Sequence, residues 1–234
     1  MQNPETQNLT AQNLKAPVDL RLNAIVDPER AGGRDLAELA RLCAAGGATL
    51  IQMRDKKNET RAMVEQARAI RKALKPFGIR FVVNDRIDVA LAAKADGVHL
   101  GPDDMAVEDA RRLLGPGALI GLSIKSAAEA ETAPVELIDY VGAGGVYVTL
   151  SKEQNEPPIG TEGLARIVAV LKRRAAALPV CGIAGIDAGN AAEVIGAGAD
   201  GIAVISALSL SGDPAGASRE LRSIVDAILA KRGT

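Results

Sequence analysis

The sequence predicts an α/β protein of one domain, a closed (β/α)₈ TIM barrel, and three observations support that prediction. Short apolar runs alternate along the chain with longer segments of helical periodicity. Eight such runs occur, and most are almost continuously apolar, as strands buried on both faces of a parallel sheet are. The length of 234 residues is also close to the roughly 250 residues that such a barrel uses.

The predicted strands are the eight apolar runs in chain order. They are residues 20–26, 48–53, 79–83, 96–100, 118–122, 137–141, 178–181 and 200–205. An open, doubly wound sheet is the alternative arrangement for the same alternation of strands and helices. The closed barrel is favoured because the units are short and alike, and because no Gly-x-Gly-x-x-Gly turn follows the first strand.

Helices are predicted between the strands, where apolar residues recur three or four positions apart. Leu36, Leu39, Ala40 and Cys43 have this spacing in the first helix. The segments GGATLIQM, AKADGVHL and GAGADGIAVI form a pseudo-repeat, in which a helix closes on Gly or Ala, the chain turns and a strand begins. No long spacer interrupts this pattern, so a second domain is not predicted.

The start of the chain differs in composition from the rest. Residues 1–19 are rich in Gln and Asn and show no periodicity, so we predict a flexible leader there and the barrel over residues 20–234. The leader lacks the apolar core of a signal peptide, and no apolar run approaches the roughly 20 residues that span a bilayer.

Charge and composition limit the classes of partner. The formal net charge is −1 and the chain has no Trp, 2 Tyr and 2 Phe, which argues against binding of nucleic acid or of a membrane surface. Cys43 and Cys181 lie far apart and form no spaced motif, so we expect reduced core residues of a cytoplasmic protein. Small-molecule substrates are the predicted partners, and a homo-oligomer is left open.

Polar side chains follow nearly every predicted strand. In a barrel, chemistry lies on the loops after the carboxyl ends of the strands. The polar residues at those positions include Asp27, Gln52, Arg54, Asp55, Lys56, Asn84, Asp85, His99, Asp103, Asp104, Ser123, Thr149, Ser151, Lys152 and Ser206. The opposite rim carries mostly Gly and Ala turns, so the sequence predicts a site at the carboxyl rim.

The mixture of charges at this rim indicates phosphate chemistry. Asp85 and Asp104 follow neighbouring strands, and two carboxylates without Cys or a second His suit Mg²⁺. Arg54, Lys56 and Lys152 are fixed cations that suit a diphosphate beside the metal. Glycine-rich turns after the last two strands expose backbone amides, which suit a phosphate monoester. We therefore expect a diphosphate leaving group on one side and a phosphorylated nucleophile on the other.

Several of these residues also have a purely structural interpretation. Asp85 could cap the third helix. Asp103 and Asp104 compete for the metal role, and Asp103 could be a helix cap. Arg54, Lys56 and Lys57 could form a solvated loop. His99, the single histidine, is either a buried structural group or a residue that lines the pocket. No Ser–His–Asp set is evident, so we assign no nucleophile.

Seven motifs, in chain order from about Leu22 to the C-terminus, resemble those of the thiamine-phosphate synthase (thiamine-phosphate pyrophosphorylase) family. They are Gln52-Met53-Arg54-Asp55-Lys56, Val83-Asn84-Asp85, the segment GVHLGPDD that ends at Asp104, Gly121-Leu122-Ser123, Thr149-Leu150-Ser151-Lys152, Ala184-Gly185-Ile186 and the segment ADGIAVIS that ends at Ser206. Each motif alone is modest, and their common order makes the resemblance specific.

The resemblance implies a (β/α)₈ barrel transferase that joins hydroxymethylpyrimidine diphosphate to hydroxyethylthiazole phosphate by a dissociative mechanism and releases diphosphate. It implies Mg²⁺ on Asp85 and Asp104 and a pyrimidine oriented by Gln52, with Ser123 beside the reacting centre. The implied diphosphate ligands are Arg54, Lys56, Asn84 and Lys152. The implied ligands of the thiazole phosphate are Thr149, Ser151, Gly185, Ile205 and Ser206. We add His99 to the substrate-binding set.

Two other functions compete with this one. A thiazole tautomerase is a similar barrel that need not bind diphosphate or metal, and a silent relative would bind a phosphate ligand without catalysis. The retained set of charged residues at the rim favours the synthase. The chain departs from the family pattern at Asn23, Val26, Pro102, Ser151 and Ala184.

Overall fold

The computed structural model describes residues 17–151 and 157–233 of the chain. Eight strands lie in these residues: β1 Leu22–Val26, β2 Leu50–Met53, β3 Arg80–Asn84, β4 Gly97–Leu100, β5 Leu119–Ile124, β6 Tyr140–Gly144, β7 Val180–Ile183 and β8 Gly201–Val204. Neighbouring strands pair in parallel and β8 returns to pair with β1, so the sheet is closed. This confirms the predicted (β/α)₈ TIM barrel and excludes the open doubly wound sheet.

Helices connect the strands, as the periodicity predicts. Those in the described residues are α1 Leu36–Ala45, α2 Thr60–Leu74, α3 Ile87–Ala93, α4 Val107–Leu114, α5 Ala127–Thr132, α6 Gly160–Arg174, α7 Ala191–Gly196, α8 Ser206–Ser209 and α9 Pro214–Arg232, with a 3₁₀ helix at Lys75–Phe77. Helix α1 begins where Asp35 Oδ1 accepts a hydrogen bond from Glu38 N at 2.8 Å. Among the described helices, none combines the length and the apolar character that crossing a membrane requires.

Each predicted run overlaps one strand, and the largest displacement is at β6. The prediction covers residues 137–141, whereas the strand is Tyr140–Gly144. The second half of this strand reads Gly-Ala-Gly, so no large apolar side chain extends the pattern there. Apolar periodicity alone therefore ends the strand too early.

Strand side chains alternate between two separate apolar clusters. The outer cluster packs under the helices, and the inner cluster fills the barrel. The inner cluster consists of Ile25, Leu50, Val82, Leu119, Tyr140, Cys181 and Ala203, together with Val18 and Leu20 from the segment before β1. Of the predicted leader, residues 1–16 lie outside the described residues. Val18 is only 9% exposed, so the packed chain begins before the predicted boundary at residue 20.

The amino ends of the strands share one hydrogen-bonding arrangement, which occurs four times. A residue just before each even-numbered strand donates its backbone N–H to a carbonyl of the preceding strand, and its side chain accepts the N–H of that same partner. The pairs are Thr49 with Leu22, Asp96 with Phe81, Asp139 with Ile120, and Asp200 with Val180. Thr49, Asp96 and Asp200 lie in the three segments of the pseudo-repeat. Asp139 belongs to a fourth unit, which the sequence pattern does not include because the segment before it ends differently.

Candidate active site

The carboxyl rim of the barrel gathers the predicted site residues. Gln52, Asn84, His99 and Ser123 lie on β2 to β5, and Asp85 follows β3 directly. The others lie on connections: Arg54 and Lys56 after β2, Asp104 after β4, Thr149 and Ser151 after β6, Gly185 after β7, and Ile205 and Ser206 after β8. Lys152 lies outside the described residues, so its role stays a prediction.

Asp85 and Asp104 lie together, beside Lys56. Lys56 Nζ forms an ion pair with Asp85 Oδ2. Burial and a hydrogen bond with Asp104 raise the pKa of Asp85 to about 6, although Lys56 acts in the opposite direction. Two carboxyl groups in contact resist double ionisation unless a cation lies between them. The pair therefore has the donor chemistry of a site for a hard divalent cation.

The capping alternatives for these aspartates are wrong. The residue that caps α3 is Arg86, without a side-chain cap bond, and Asp85 itself has a left-handed φ of 61°. Helix α4 begins after Ala106, and no side chain caps it. Asp104 Oδ2 instead accepts the N–H of Gly101 at 2.7 Å, which closes the loop after β4, while Asp103 is exposed.

The described residues contain no group of three or more His, Cys, Asp or Glu side chains that could hold a metal ion. A cation between Asp85 and Asp104 would therefore need further ligands from water or from substrate oxygens. Mg²⁺ commonly binds in this way, with one or two carboxylates and the phosphates of a substrate.

The basic segment after β2 is only partly a solvated loop. Arg54 Nη1 donates to Asp27 Oδ2 at 2.5 Å, and that Asp27 side chain is 1% exposed. Asp55 is buried and accepts the N–H groups of Lys57 and Asn58, which fixes the turn. The side chain of Lys57, by contrast, is 72% exposed. Arg54 is therefore held at the rim by a buried partner, whereas Lys57 is solvated.

A chain of amide side chains crosses the inside of the barrel from β1 to β3. Asn23 Nδ2 donates to Gln52 Oε1 at 3.4 Å, and Gln52 Nε2 donates to Asn84 Oδ1 at 2.8 Å. Asn23 Oδ1 is buried and has no hydrogen-bond partner among the described residues. Because Asn84 uses its oxygen to accept from Gln52, its NH₂ group is the donor at the end of this series of hydrogen bonds.

His99 is both buried and bonded to a site residue, so the two interpretations of it are not exclusive. It is 6% exposed, and its Nε2 lies 3.0 Å from Ser123 Oγ. Its Nδ1 lies 3.1 Å from the hydroxyl of Tyr140, which is fully buried in the inner cluster.

A cavity of about 530 Å³ opens between the loops after β6, β7 and β8. Its lining includes all five predicted ligands of the thiazole phosphate, Thr149, Ser151, Gly185, Ile205 and Ser206. Ser151 Oγ and Ser206 Oγ are 2.7 Å apart, and Ser151 N donates to Thr149 Oγ1 at 3.1 Å. Hydroxyl groups from two loops thus meet in one cavity.

The turn after β7 contributes the backbone of this cavity. Ala184 and Gly185 have left-handed φ angles of 85° and 66°. A Cβ at Gly185 would lie 2.7 Å from Tyr147 Cβ, so only glycine fits. Successive residues of this kind can direct backbone N–H groups towards an anion.

Comparison with known proteins matches this geometry to one family. The model of the family described as thiamine monophosphate synthase matches residues 22–208. A thiamine-phosphate synthase of Agrobacterium fabrum is 50% identical over 215 residues, which is 92% of this chain and 98% of that protein. One of Moorella thermoacetica is 46% identical over 87% of this chain and 95% of its own. The chain belongs to the thiamine monophosphate synthase family.

A solved structure shows the same likeness in three dimensions. The thiamine phosphate pyrophosphorylase of Pyrococcus furiosus superposes with a TM-score of 0.81 at 42% identity, over 91% of this chain and 98% of that chain. The superposition therefore includes nearly the whole of that structure.

Three of the residues that depart from the family pattern have different positions in the structure. Ala184 stands where the thiamine monophosphate synthase pattern has glycine, and its φ of 85° is the left-handed region that disfavours a side chain. Asn23 is the buried first member of the amide chain. Pro102 is exposed in the loop after β4, away from the barrel interior.

Two residues with a place at this site escaped the sequence analysis. Arg30, on the connection after β1, lines the same cavity as Gly185. Tyr140 contacts His99 from the first position of β6. Arg30 belongs to none of the motifs, and Tyr140 lies inside an apolar run, so neither residue carries a signal in the sequence.

Proposed function

We propose that this chain is a thiamine-phosphate synthase, a transferase that joins hydroxymethylpyrimidine diphosphate to hydroxyethylthiazole phosphate and releases diphosphate. One observation carries the proposal: the rim has two subsites with different anion chemistry. One combines Arg54 and Lys56 with two carboxylates. The other is the hydroxyl-lined cavity with Arg30 at its edge. The relatives named thiamine-phosphate synthase support the pairing of these two substrates.

The reaction needs positioning and charge stabilisation rather than a protein nucleophile. The bond between the pyrimidine methylene carbon and a diphosphate oxygen breaks, and its electron pair leaves with the diphosphate. The lone pair of the thiazole nitrogen then forms the new carbon–nitrogen bond. Arg54, Lys56 and the NH₂ group of Asn84 stabilise the charge on the leaving diphosphate. Lys152 joins this set by the sequence motif.

The second substrate is held by the cavity after β6 to β8. The hydroxyls of Thr149, Ser151 and Ser206 and the backbone at Gly185 bind its phosphate, and Ile205 lines the cavity. Gln52 orients the pyrimidine from inside the barrel, and His99 supports Ser123 beside the reacting carbon. Holding both reactants at one rim makes their encounter effectively unimolecular.

Asp85 and Asp104 bind Mg²⁺ in this proposal. The metal, when bound, would neutralise part of the charge of the diphosphate. The contact between the two carboxyl groups supports this assignment, because without a cation it costs the folded protein stability. The same cost argues against a silent binder or a tautomerase, neither of which needs the pair.

The protein works in the cytoplasm on small molecules in this proposal. Cys43 and Cys181 are buried free thiols, which suits a reducing compartment. Burial raises the pKa of Cys43 to about 11 and of Cys181 to about 12, so neither is a reactive thiolate.

The direct test is release of diphosphate from the full chain. Protein is mixed with both substrates in the presence of Mg²⁺ or EDTA, and diphosphate and thiamine phosphate are both measured. We expect diphosphate to be released only when both substrates and the metal are present. The amounts of diphosphate and thiamine phosphate formed should be equal. A folded protein that releases nothing would contradict the synthase and favour the tautomerase or the silent binder.

A further inference from the structure

The buried pair of Tyr140 and His99 lies directly beneath Ser123. The Tyr140 hydroxyl is 3.1 Å from His99 Nδ1, and Ser123 Oγ is 3.0 Å from His99 Nε2. The three side chains come from β6, β4 and β5, which are neighbours in the barrel. They form a short line from the inner cluster to the carboxyl rim.

The direction of hydrogen bonding along this line follows from Tyr140. Its side chain is fully buried, and His99 Nδ1 is its one hydrogen-bond partner among the described residues. Burial raises the pKa of the Tyr140 phenol well above its ordinary value, so the phenol keeps its proton. An unsatisfied buried donor is costly, and the Tyr140 hydroxyl therefore donates to His99 Nδ1.

This bond determines which nitrogen of the imidazole carries the proton. A neutral imidazole has one N–H, so with Nδ1 as acceptor the proton resides on Nε2. His99 Nε2–H then donates to Ser123 Oγ. The Ser123 hydroxyl hydrogen is left to donate towards the rim. In the other tautomer Ser123 would donate to His99 and present only lone pairs to a substrate.

Two glycines keep the space in which Tyr140 and His99 meet. A Cβ at Gly121 would overlap the Tyr140 ring and lie 2.5 Å from His99 Nδ1. A Cβ at Gly142 would lie 3.1 Å from His99 Cε1. The glycine of the Gly-x-Ser motif, inside β5, is therefore explained by the contact beneath the serine.

We propose that Tyr140 is a positioning residue, which fixes the Nε2–H tautomer of His99 and so makes Ser123 a hydrogen-bond donor to the pyrimidine diphosphate. The catalytic part of this inference rests on the proposed function. The tautomer itself does not, since it follows from the contacts inside the barrel.

The first experiment reads the tautomer without any substrate. The chain contains a single histidine, so a long-range ¹H–¹⁵N spectrum has one set of imidazole signals. Recorded at about pH 8, above the ordinary histidine pKa, the wild-type spectrum should show the Nε2–H form. Tyr140→Phe removes only the hydroxyl and should shift the signals towards a mixture of tautomers. Tyr147→Phe, the control, removes a hydroxyl that donates to Glu193 and should leave the His99 signals in place.

The second experiment measures turnover. Tyr140→Phe should lower kcat roughly 10-fold with a smaller change in KM, because a misdirected hydroxyl weakens chemistry more than binding. Ser123→Ala should lower kcat and leave the tautomer unchanged. The double variant should be no slower than Ser123→Ala alone, since both changes remove the same donor.

Three results would overturn the inference. They are a wild-type His99 protonated on Nδ1, an unchanged Nε2–H signal in Tyr140→Phe, and a double variant whose loss is the product of the single losses. A merely structural Tyr140 would lower the thermal stability and leave the tautomer unmoved. A wild-type protein that shows the expected tautomer but forms no thiamine phosphate would overturn the proposed function and the catalytic part of this inference, while the tautomer assignment would stand.

Discussion

At the amino end of the barrel one arrangement of hydrogen bonds recurs four times, whereas at the carboxyl end no two strands are followed by the same set of side chains. The amino-end pairs, such as Asp200 with Val180, each use a backbone donor and a side-chain acceptor on the same partner residue. At the carboxyl end Asp85, Ser123 and Gly185 occur once each, in unrelated surroundings. The repeated end joins neighbouring βα units, and the varied end carries the chemistry.

This difference implies that substitutions at the two ends affect different properties. Loss of an amino-end bond should reduce the free energy of unfolding and leave the folded enzyme active. Loss of a carboxyl-end residue should reduce activity and leave the fold intact, because the apolar clusters and the amino-end bonds remain in place.

The largest effect is expected from Asp104→Asn at the carboxyl end. Neutralising one member of the carboxylate pair should lower turnover about 100-fold or more and remove the dependence on Mg²⁺. Asp103→Asn, at the exposed neighbouring position, is the matched control and should keep wild-type turnover. Steady-state rates and circular dichroism test this, and full activity of Asp104→Asn would rule out the metal assignment.

At the amino end, Asp200→Ala should act on stability alone. Asp200 Oδ2 accepts from Val180 N at 2.9 Å and from Lys172 Nζ at 2.8 Å. Removing it leaves a strand amide without its acceptor, which should lower the free energy of unfolding by about 1–3 kcal/mol. Urea denaturation measures the loss. A fall in kcat of the folded protein would break the proposed division between the two ends.

The carboxylate pair should also make stability depend on pH when metal is absent. The pKa of Asp85 is raised to about 6 from an ordinary 3.8 in the unfolded chain. A raised carboxyl pKa stabilises the folded state fully below about pH 4, and this contribution is lost as the pH rises through about 6. In EDTA, the free energy of unfolding of the wild type should therefore fall by on the order of 1 kcal/mol more than that of Asp104→Asn across this range. Urea denaturation at several pH values measures this. The same pH dependence of the free energy of unfolding in both proteins would contradict the contact between the carboxyl groups.

Arg30→Ala tests the second subsite of the carboxyl end. We expect the KM for the thiazole phosphate to rise about 10-fold with little change in kcat, because a lost ion pair weakens binding of the phosphate in the ground and transition states alike. Arg41→Ala, on the outer surface of α1 beside Glu38, is the control. A KM that does not change would remove Arg30 from the site.

Ala184→Gly should give the smallest effect, an increase in stability. Ala184 has a φ of 85°, where a side chain costs about 1–2 kcal/mol, and the greater freedom of glycine in the unfolded chain offsets part of the gain. The net rise in the free energy of unfolding should be roughly 0.5 kcal/mol. A lower free energy of unfolding of the variant would show that Ala184 is not strained at this φ angle.

Much of the fold was predictable from local patterns. Apolar runs predict all eight strands because strands buried on both faces need apolar side chains throughout. Their number favours a closed barrel, and the pairing of β8 with β1 confirms it. Asn84, Asp85 and His99 were located at the rim because they stand where an apolar run ends. The glycine-rich end of β6 was missed, since it has no large apolar side chain.

The sequence by itself determined the order of the elements, the rim on which the polar residues lie and the family to which the motifs point, because these depend on residues close together in the chain. Only the tertiary structure decided which residues come together: Arg54 with Asp27, Tyr140 with His99, and Arg30 with Gly185 in the lining of one cavity. These arrangements join residues from different strands and loops. Their geometry depends on the register and closure of the barrel, for which no local pattern contains the information.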